Sequence, residues 1–259
     1  MRRRLVVLTE IIAPYRIPVF NALAQREEID LHVIFLAESD PKLRDWLVYK
    51  DEIRFSYQVL PSWRWKFAGH NLLLNRGLKK GLQGAAPDAI LCGGYNYLAS
   101  WQALQWARQR RIPFILWVES TERDIRSRNR VIEFLKRKFM KGCSAFVVPG
   151  KSSLQYVMNY GVLESDIFTA PNAVDTDLFA QRAAVVRQEA ARHRQALQLP
   201  PRFFLFVGRV VPEKGVFDLL EAYGKLTPEL RKVVSLVLVG EGSARGEVTR
   251  RAMQIAPGE

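Results

Sequence analysis

The sequence predicts an α/β fold built on doubly wound parallel sheets, because short apolar runs alternate with amphipathic helical patterns along the chain. The runs are rich in Val, Ile, Leu and Phe. Continuous apolar runs of this kind are typical of parallel strands that are covered on both faces. We expect strands at residues 5–9, 31–36, 56–60, 89–92, 114–118, 145–148, 203–207 and 233–239.

Helices are expected between these strands. The first begins near Pro18, a residue that fits a first helical turn, and carries an apolar face. A second is expected to start with Ser152 as its cap and to end at Gly161, because serine is a preferred N-cap and glycine a common terminator. A third covers residues 214–225.

The chain divides into regions of different composition. Residues 1–171 contain most of the expected strands, and we interpret them as a nearly whole Rossmann-like domain. Residues 172–200 form an irregular stretch with a polar helix, which predicts a hinge or linker. Residues 201–259 begin a second sheet with two clear strands, too few for a complete parallel sheet. We therefore expect a truncated second domain, as in a fragment or a degraded product of a longer gene.

Charge and cysteine content restrict the class of protein. The chain carries a net charge of +13, and residues 1–170 hold 26 basic against 16 acidic side chains. This excess indicates an anionic partner, such as a membrane surface, a nucleic acid or a phosphorylated ligand, or else serves general solubility. Two cysteines and three scattered histidines suit neither a disulfide framework nor a zinc site. The sequence predicts a reducing, cytoplasmic location and no metal.

The segment 206–215 is the most informative for chemistry. An apolar strand runs into Gly208 and Arg209, and Lys214 follows five residues later where a helix begins. Glycine lets backbone approach a ligand, arginine offers two parallel donors to phosphate oxygens, and lysine adds a point charge near a helix start. The pattern predicts a diphosphate site. The alternative interpretation is a loop with two solvated basic residues.

Two further segments add to this pattern. Residues 170–179 place Asn172 and Asp175 in an irregular stretch, where they can simply form turns and cap a helix. Residues 236–243 form a strand that leads into Gly240 and Gly242. A Gly-x-Gly pair without a third glycine disfavours a nicotinamide oxidoreductase, whose fingerprint requires it.

Together these segments resemble family 4 glycosyltransferases, the retaining, nucleotide-sugar-dependent class with the GT-B fold of two Rossmann-like domains. Residues 172–179 resemble the "PNGVD…F" segment of that family, residues 208–215 its "GR…EKG" segment, and residues 239–243 its "GxG" turn. Residues 13–23 resemble a first loop that reads "PYR.P.FN.L", and residues 141–152 an "ADxVIxPS" strand and helix start. The resemblance covers nearly the whole chain.

The resemblance implies roles for particular residues. Arg209 and Lys214 would hold the donor diphosphate and stabilise charge on the leaving nucleotide, so that no metal or other cofactor is needed. It implies transfer of a sugar from a UDP- or GDP-sugar to a hydroxyl of a glycan, a lipid-linked acceptor or a small molecule. The expected donor-binding residues are Gly208, Arg209, Lys214, Gly240, Gly242 and Asn172.

The sequence departs from the family pattern on the acceptor side. Many members carry a histidine after the strand that here covers residues 114–118, and Glu119 follows it instead. We take Glu119 as the substitute catalytic residue; the alternative is a strand-end carboxylate that caps or pairs with Arg123. Tyr15 and Arg16 stand in a first loop that is usually glycine-rich. They contact the acceptor or the donor, or merely buttress the first helix.

The family's downstream "E-x7-E" segment has no match before residue 259. Its glutamates contact the donor sugar and the nucleotide ribose in the family, so we expect weak donor binding and slow turnover from this chain alone. The second hypothesis is a catalytically inactive binding protein, or a gene remnant, on the same scaffold.

A basic amphipathic helix is expected over residues 125–141. Such a helix can lie on anionic lipid headgroups, and Trp63 and Trp65 are compatible with an interfacial loop. This predicts peripheral binding to the inner face of the cell membrane; the alternative is a helix packed on the sheet with a solvated basic face. Nucleic-acid binding is disfavoured because no recognition motif accompanies the charge. The predicted membrane-surface residues are Arg130, Lys136, Arg137, Lys138 and Lys141.

Overall fold

The computed structural model describes residues 2–39, 49–67, 70–124 and 129–255. The chain divides into two compact units, Met1–Thr176 and Asp177–Glu259. Strands of the first unit are β1 (Arg3–Thr9), β2 (Ile29–Phe35), β3 (Ser56–Val59), β4 (Ser62–Phe67), β5 (His70–Asn75), β6 (Ala89–Cys92), β7 (Phe114–Trp117), β8 (Ala145–Val148) and β9 (Ile167–Thr169). Its helices are α1 (Ile17–Ala24), α2 (Leu78–Ala85), α3 (Leu98–Gln109), α4 (Arg130–Met140) and α5 (Lys151–Met158).

The described part of the first unit is built on a seven-stranded sheet with the order β3-β2-β1-β6-β7-β8-β9. Every neighbouring pair in it is parallel; Leu5 of β1, for example, pairs with Leu31 of β2 and with Ala89 of β6. The predicted doubly wound parallel sheet is therefore confirmed. All carboxyl ends of the strands lie at one edge, which is where such sheets place their ligand sites.

Both faces of this sheet are buried. Val6 and Leu8 point into a large core on one face, and Val7 points into a second core with Ile17 and Phe20 of α1 on the other. Because alternate residues of one strand enter two different cores, the strand reads as a continuous apolar run. This is the physical basis of the pattern from which the fold was predicted.

The second unit contains α6 (Thr176–Gln188), α7 (Ala190–Ala196), β10 (Phe203–Val207), α8 (Val216–Gly224), α9 (Pro228–Val233), β11 (Ser235–Val239) and α10 (Arg245–Ile255). Strand β10 pairs with β11 in parallel, with Val207 opposite Val239. Its core includes Val210, Val216 and Val248. Large apolar side chains of β10, Phe204 among them, remain exposed.

Some elements differ from the sequence prediction. Strands β4 and β5 form an antiparallel hairpin, so Trp63 and Trp65 stand on a strand and not in a loop. Helix α5 begins at Lys151 after Gly150, with no side-chain cap, so the Ser152 cap was wrong. Helix α4 begins at Arg130, capped by the side chain of Asn129, and the first part of the expected basic helix, residues 125–128, lies outside the described residues.

Candidate functional site

The loops that follow β10 and β11 lie side by side at the carboxyl ends of the two strands. The amide nitrogen of Gly208 donates to the carbonyl oxygen of Val239 at 3.0 Å, and that of Val210 donates to Glu241 at 2.8 Å. The carbonyl oxygen of Val210 then accepts from Ala244 at 3.0 Å. The parallel pairing thus continues past the strands, and it brings the glycine turn of one loop against the arginine-bearing start of the other.

Gly240 is required by this contact between loops. Its φ of +146° is a conformation that side chains rarely adopt. A Cβ atom there would overlap the carbonyl oxygen of Gly208 and lie 2.9 Å from its carbon. A Cβ at Gly242 would likewise overlap the carbonyl group of Val210. Both glycines therefore have a packing role within the protein, in addition to the donor contact that the sequence predicts for them.

The two predicted diphosphate-binding cations are exposed at this edge. Arg209 follows Gly208 directly, and Lys214 ends a short 3-10 helix, Pro212–Lys214, that Gly215 (φ +69°) connects to α8. Among the described residues no carboxylate forms an ion pair with either side chain. Their charge is thus available to an anion. Asn172, the remaining predicted donor residue, lies exposed in the first unit.

In the first unit the predicted acceptor-side residues Arg16 and Glu119 meet. The Arg16 guanidinium donates to Glu119 Oε1 at 2.8 Å, and the second terminal nitrogen reaches Thr9 Oγ1 at 3.4 Å. The Arg16 side chain is only 14% exposed, whereas that of Glu119 is 46% exposed. The partner that the structure gives Glu119 is therefore Arg16 and not Arg123.

Aromatic contacts hold Arg16 in place. Its guanidinium carbon lies 4.6 Å from the centre of the Trp117 ring and 5.9 Å from that of Tyr15. The backbone of Glu119 is fixed as well, since its carbonyl oxygen accepts from the buried Ser153 hydroxyl of α5 at 3.4 Å. Arg16 therefore acts as a buttress that fixes the Glu119 carboxylate, and Tyr15 remains half exposed beside it.

This ion pair lines a cleft of about 170 Å³ at the carboxyl ends of β1, β6 and β7. Sequence reasoning missed the other residues that line it. A signal was present, because Gly93 and Gly94 directly follow β6, and Gly94 has a φ of +124°. The missed lining residues are Gly93, Gly94, Tyr95, Asn96, Trp117, Val118 and Ser120.

Comparison with known proteins assigns the chain to a family. The sequence model of Glycosyltransferase Family 4 matches residues 20–178, which is more than half of the chain. The chain belongs to this family. A second model, Glycosyl transferases group 1, matches residues 187–256. No curated protein sequence matches the chain at a significant level.

Solved structures with the GT-B fold resemble the family 4 chain. Anabaena HepE, crystallised with UDP and glucose, is 15% identical with a TM-score of 0.71 over all of this chain and 68% of its own. The lipopolysaccharide outer core galactosyltransferase WaaB is 13% identical with a TM-score of 0.54, over 97% of this chain and 65% of its own. UDP-GlcNAc 2-epimerase from Neisseria meningitidis, bound to UDP-GlcNAc, is 15% identical with a TM-score of 0.57, over 98% and 70%. At this identity the likeness shows the fold, which is the predicted GT-B architecture.

A chain of hydroxyl groups leads from the cleft of the family 4 chain to α4. The Tyr95 hydroxyl lies 3.0 Å from that of Tyr156. The Tyr160 hydroxyl donates to Glu133 at 2.6 Å and lies 3.3 Å from the Tyr156 hydroxyl. Burial and the Tyr156 hydroxyl raise the pKa of Tyr95, so its phenol stays protonated. Although burial opposes it, hydrogen bonds from Lys136 and Tyr160 lower the pKa of Glu133, which stays ionised.

The predicted membrane-surface cations of α4 are not equivalent. Lys136 is turned inward, 16% exposed and 2.8 Å from Glu133, and Arg137 donates to the Tyr160 carbonyl oxygen at 3.4 Å. Arg137 is nonetheless exposed, as are Arg130, Lys138 and Lys141. Within the described ranges, no helix is long and apolar enough to cross a bilayer.

The surroundings of the two cysteines determine how reactive their thiols are. Burial raises the pKa of the Cys92 thiol to about 12, and burial also raises the pKa of Cys143. Both thiols therefore stay protonated and poorly nucleophilic near neutral pH. In the part of the chain that the structure describes, no three His, Cys, Asp or Glu side chains cluster as metal ligands.

Proposed function

We propose that the chain transfers a sugar from a UDP- or GDP-sugar to a hydroxyl of a glycan, a lipid-linked acceptor or a small molecule, with retention at the anomeric carbon. The second unit binds the donor and the first binds the acceptor. Membership of family 4 supports sugar transfer. The UDP and UDP-glucose bound to HepE support a uridine nucleotide in the donor.

The observation that carries the proposal is the pair of exposed cations that follow β10, Arg209 and Lys214, neither of which forms an ion pair with a described residue. Arg209 donates two hydrogen bonds to diphosphate oxygens, and Lys214 adds its charge at the start of α8. Both stabilise the negative charge that develops on the leaving nucleotide. Because these cations supply the positive charge, the reaction needs neither a metal nor another cofactor.

On the acceptor side, the carboxylate of Glu119 accepts a hydrogen bond from the acceptor hydroxyl. Its ion pair with Arg16 supports this role, because a carboxylate that is fixed at the rim of a cleft orients a hydroxyl at little further entropic cost. Arg16 serves as the positioning residue. Tyr15, half exposed beside Arg16, contacts the same acceptor.

We further propose that the enzyme is cytoplasmic and binds the anionic inner face of the cell membrane through α4. The exposed cations Arg130, Lys138 and Lys141 support this, and so do exposed apolar side chains in the first half of the helix. A lipid surface attracts basic side chains electrostatically and takes up apolar ones. This arrangement would bring a lipid-linked acceptor to the first unit.

The test measures binding of UDP, GDP and uridine by calorimetry and transfer from the matching nucleotide sugars. Arg209→Ala and Lys214→Ala should each weaken UDP binding by roughly 10-fold or more, because each removes a charge-assisted hydrogen bond of about 1.5–3 kcal/mol. Uridine binding should stay unchanged because uridine has no phosphate. Transfer should slow by roughly 10²-fold.

The matched controls are Arg187→Ala and Lys232→Ala, which remove exposed cations elsewhere in the same unit. They should leave both measurements unchanged. Equal UDP affinity in the Arg209 and Lys214 variants would remove these residues from the donor site. Tight UDP-sugar binding without any transfer would instead identify an inactive binding protein on this scaffold.

A further inference from the structure

The β4–β5 hairpin presents an apolar face that is exposed within the part of the chain that the structure describes. Trp63 pairs across the strands with Leu74, and Trp65 pairs with Leu72. All four side chains lie on one face, and Trp63 and Trp65 are 54% and 73% exposed. Because large aromatic side chains normally bury most of their surface, such a contiguous patch marks a contact with something outside the chain.

The opposite face of the hairpin is anchored to the first unit. Leu73 is buried in the main core, and the Asn75 amide donates to the carbonyl oxygen of Leu36. Arg64 reaches Glu10, directly after β1, at 3.4 Å. The hairpin is thus fixed at the carboxyl ends of β1 and β2, the same edge of the sheet that holds the Arg16–Glu119 cleft.

A basic groove of about 510 Å³ begins at the base of this hairpin and runs between α2 and the edge strand β3. Arg76 and Lys80 are exposed and line it, and among the described residues that line it there is no Asp or Glu. Arg4 lines it too, but is neutralised by Asp30. Burial and the charge of Arg4 lower the pKa of His32, so its ring adds no charge near neutral pH.

Arg76 connects the groove with the apolar face. Its backbone amide donates to the carbonyl oxygen of Pro61 at 3.0 Å and closes the hairpin. Its guanidinium carbon lies 5.8 Å from the centre of the Trp63 ring, while the same side chain lines the groove. An apolar surface and an exposed positive charge that has no ion pair among the described residues are therefore adjacent.

We infer that the hairpin and this groove bind an anionic phospholipid surface, with Trp63 and Trp65 in the interfacial layer and a headgroup phosphate in the groove against Arg76 and Lys80. Tryptophan favours the bilayer interface, and arginine and lysine bind phosphate. The inference rests on the membrane association proposed for α4, to which it adds a second, separate contact.

Other occupants fit these residues less well. A sugar needs several hydrogen-bonding groups, whereas the four side chains described on this face are two leucines and two tryptophans, whose indole N–H groups are their only donors. A second copy of the chain would bring Arg76 and Lys80 toward a molecule that also carries a net charge of +13. A surface that is both apolar and anionic matches both parts of the site.

The experiment is co-sedimentation with vesicles of phosphatidylcholine alone or mixed equally with phosphatidylglycerol, with tryptophan emission recorded in parallel. The wild-type chain should bind only the mixed vesicles, with a blue shift of the emission. Combining Trp63→Ala with Trp65→Ala should weaken binding about 10-fold or more, given the apolar area lost. Arg76→Gln with Lys80→Gln should weaken it similarly, whereas Arg182→Gln with Arg187→Gln, on α6, should not.

A further pair of variants separates this contact from α4. In Trp63→Phe with Trp65→Phe the blue shift should vanish, whereas Lys138→Gln with Lys141→Gln on α4 should weaken binding and keep the shift. If the hairpin and groove variants bind as the wild type does, the inference is overturned and the α4 proposal stands. If the hairpin and groove variants bind weakly and only the α4 variant binds as the wild type does, the inference stands and the α4 proposal is overturned. If the wild type binds neither vesicle, the inference and the α4 proposal are both overturned. Calorimetric binding of free glycerol phosphate by a wild-type chain that binds neither vesicle would identify a soluble phosphate as the ligand and also overturn the inference.

Discussion

Glu119 and Arg16 form an ion pair, so the role of each residue depends on the other. The resemblance to family 4 places Glu119 where many members carry a histidine, and places Arg16 in a first loop of the "PYR" type where a glycine-rich loop is usual. In the structure the Arg16 guanidinium donates to the Glu119 carboxylate at 2.8 Å and lies over the Trp117 ring. The carboxylate of Glu119 is held by a nearby cation, and the first loop supplies that cation through Arg16. Glu119 and Arg16 therefore form one ion-paired feature of the cleft.

Glu119→Gln should slow sugar transfer by roughly 10²-fold while leaving UDP affinity unchanged. Glutamine keeps the shape of glutamate and can still accept from Arg16, so the cleft stays intact, but the charge at the acceptor hydroxyl is lost. Steady-state rates and calorimetry on the same protein provide the two readouts. Glu164→Gln, an exposed change in the same unit, is the control. A parallel loss of transfer and UDP binding, or of the folded signal, would mean that Glu119 is only structural.

Gly240 is a residue whose importance the structure explains without any ligand. Gly240→Ala would place a methyl group on the Gly208 carbonyl and force an alanine to a φ of +146°. We expect a loss of about 1–3 kcal/mol in the free energy of unfolding, the usual cost of such backbone strain. Denaturant melts followed by circular dichroism measure it.

Gly246→Ala is the matched change for Gly240→Ala. Gly246 lies in α10 with open space where a Cβ would stand. Alanine there should raise the free energy of unfolding by up to about 1 kcal/mol, because alanine favours the helix. Equal stability of the two variants would show that the two loops do not pack as the structure has them.

At the scale of elements, α4 changes character along its length. Its last residues, Phe139 and Met140, are fully buried, and Phe139 packs edge-on against Trp101 with ring centres 4.8 Å apart. Its first half leaves Val131 and Phe134 exposed. The apolar residues of this amphipathic helix are therefore of two kinds: those at its end anchor it in the core, and those in its first half are exposed.

Alanine variants of Phe134 and Phe139 test the exposed part and the buried part of α4 separately. Phe134→Ala should weaken binding to the phosphatidylglycerol-containing vesicles and change the free energy of unfolding by less than about 0.5 kcal/mol. Phe139→Ala should cost about 3–5 kcal/mol, because it opens a cavity in the core. Vesicle co-sedimentation and denaturant melts give both values for both variants. Unchanged vesicle binding of the Phe134 variant would argue that α4 does not meet the membrane.

At the scale of the whole molecule, the basic excess and the candidate membrane surfaces belong to the same unit. Residues 1–170 carry 26 basic and 16 acidic side chains, and both α4 and the β4–β5 hairpin lie within them. The second unit contains the unpaired cations proposed for the nucleotide. Positive charge is thus divided between two tasks, attraction to a surface and recognition of a diphosphate.

The sequence determined the elements and the family. Strands β6, β8 and β10 lie at their predicted residues, because a parallel strand carries apolar side chains on both faces and is therefore visible as a local apolar run. This holds for β10 as well, although its large apolar side chains are exposed here. Residues 208–215 and 239–243 carried the resemblance to family 4, because their glycines and cations lie close together along the chain and form recognisable local motifs. The prediction of an interfacial loop at Trp63 and Trp65 missed the hairpin, because it rests on composition, whereas the alternation of aromatic and basic residues is a strand pattern.

Only the tertiary structure decided which of these residues meet. Arg16 and Glu119 are 103 positions apart and became partners because β1 and β7 deliver their following loops to the same edge of one sheet. Lys136 was expected at a surface and lies against Glu133, since one side of α4 faces the tyrosines of its own unit. Periodicity is a local property of the chain, whereas a site is formed by contacts between distant segments, and those contacts depend on strand order and packing.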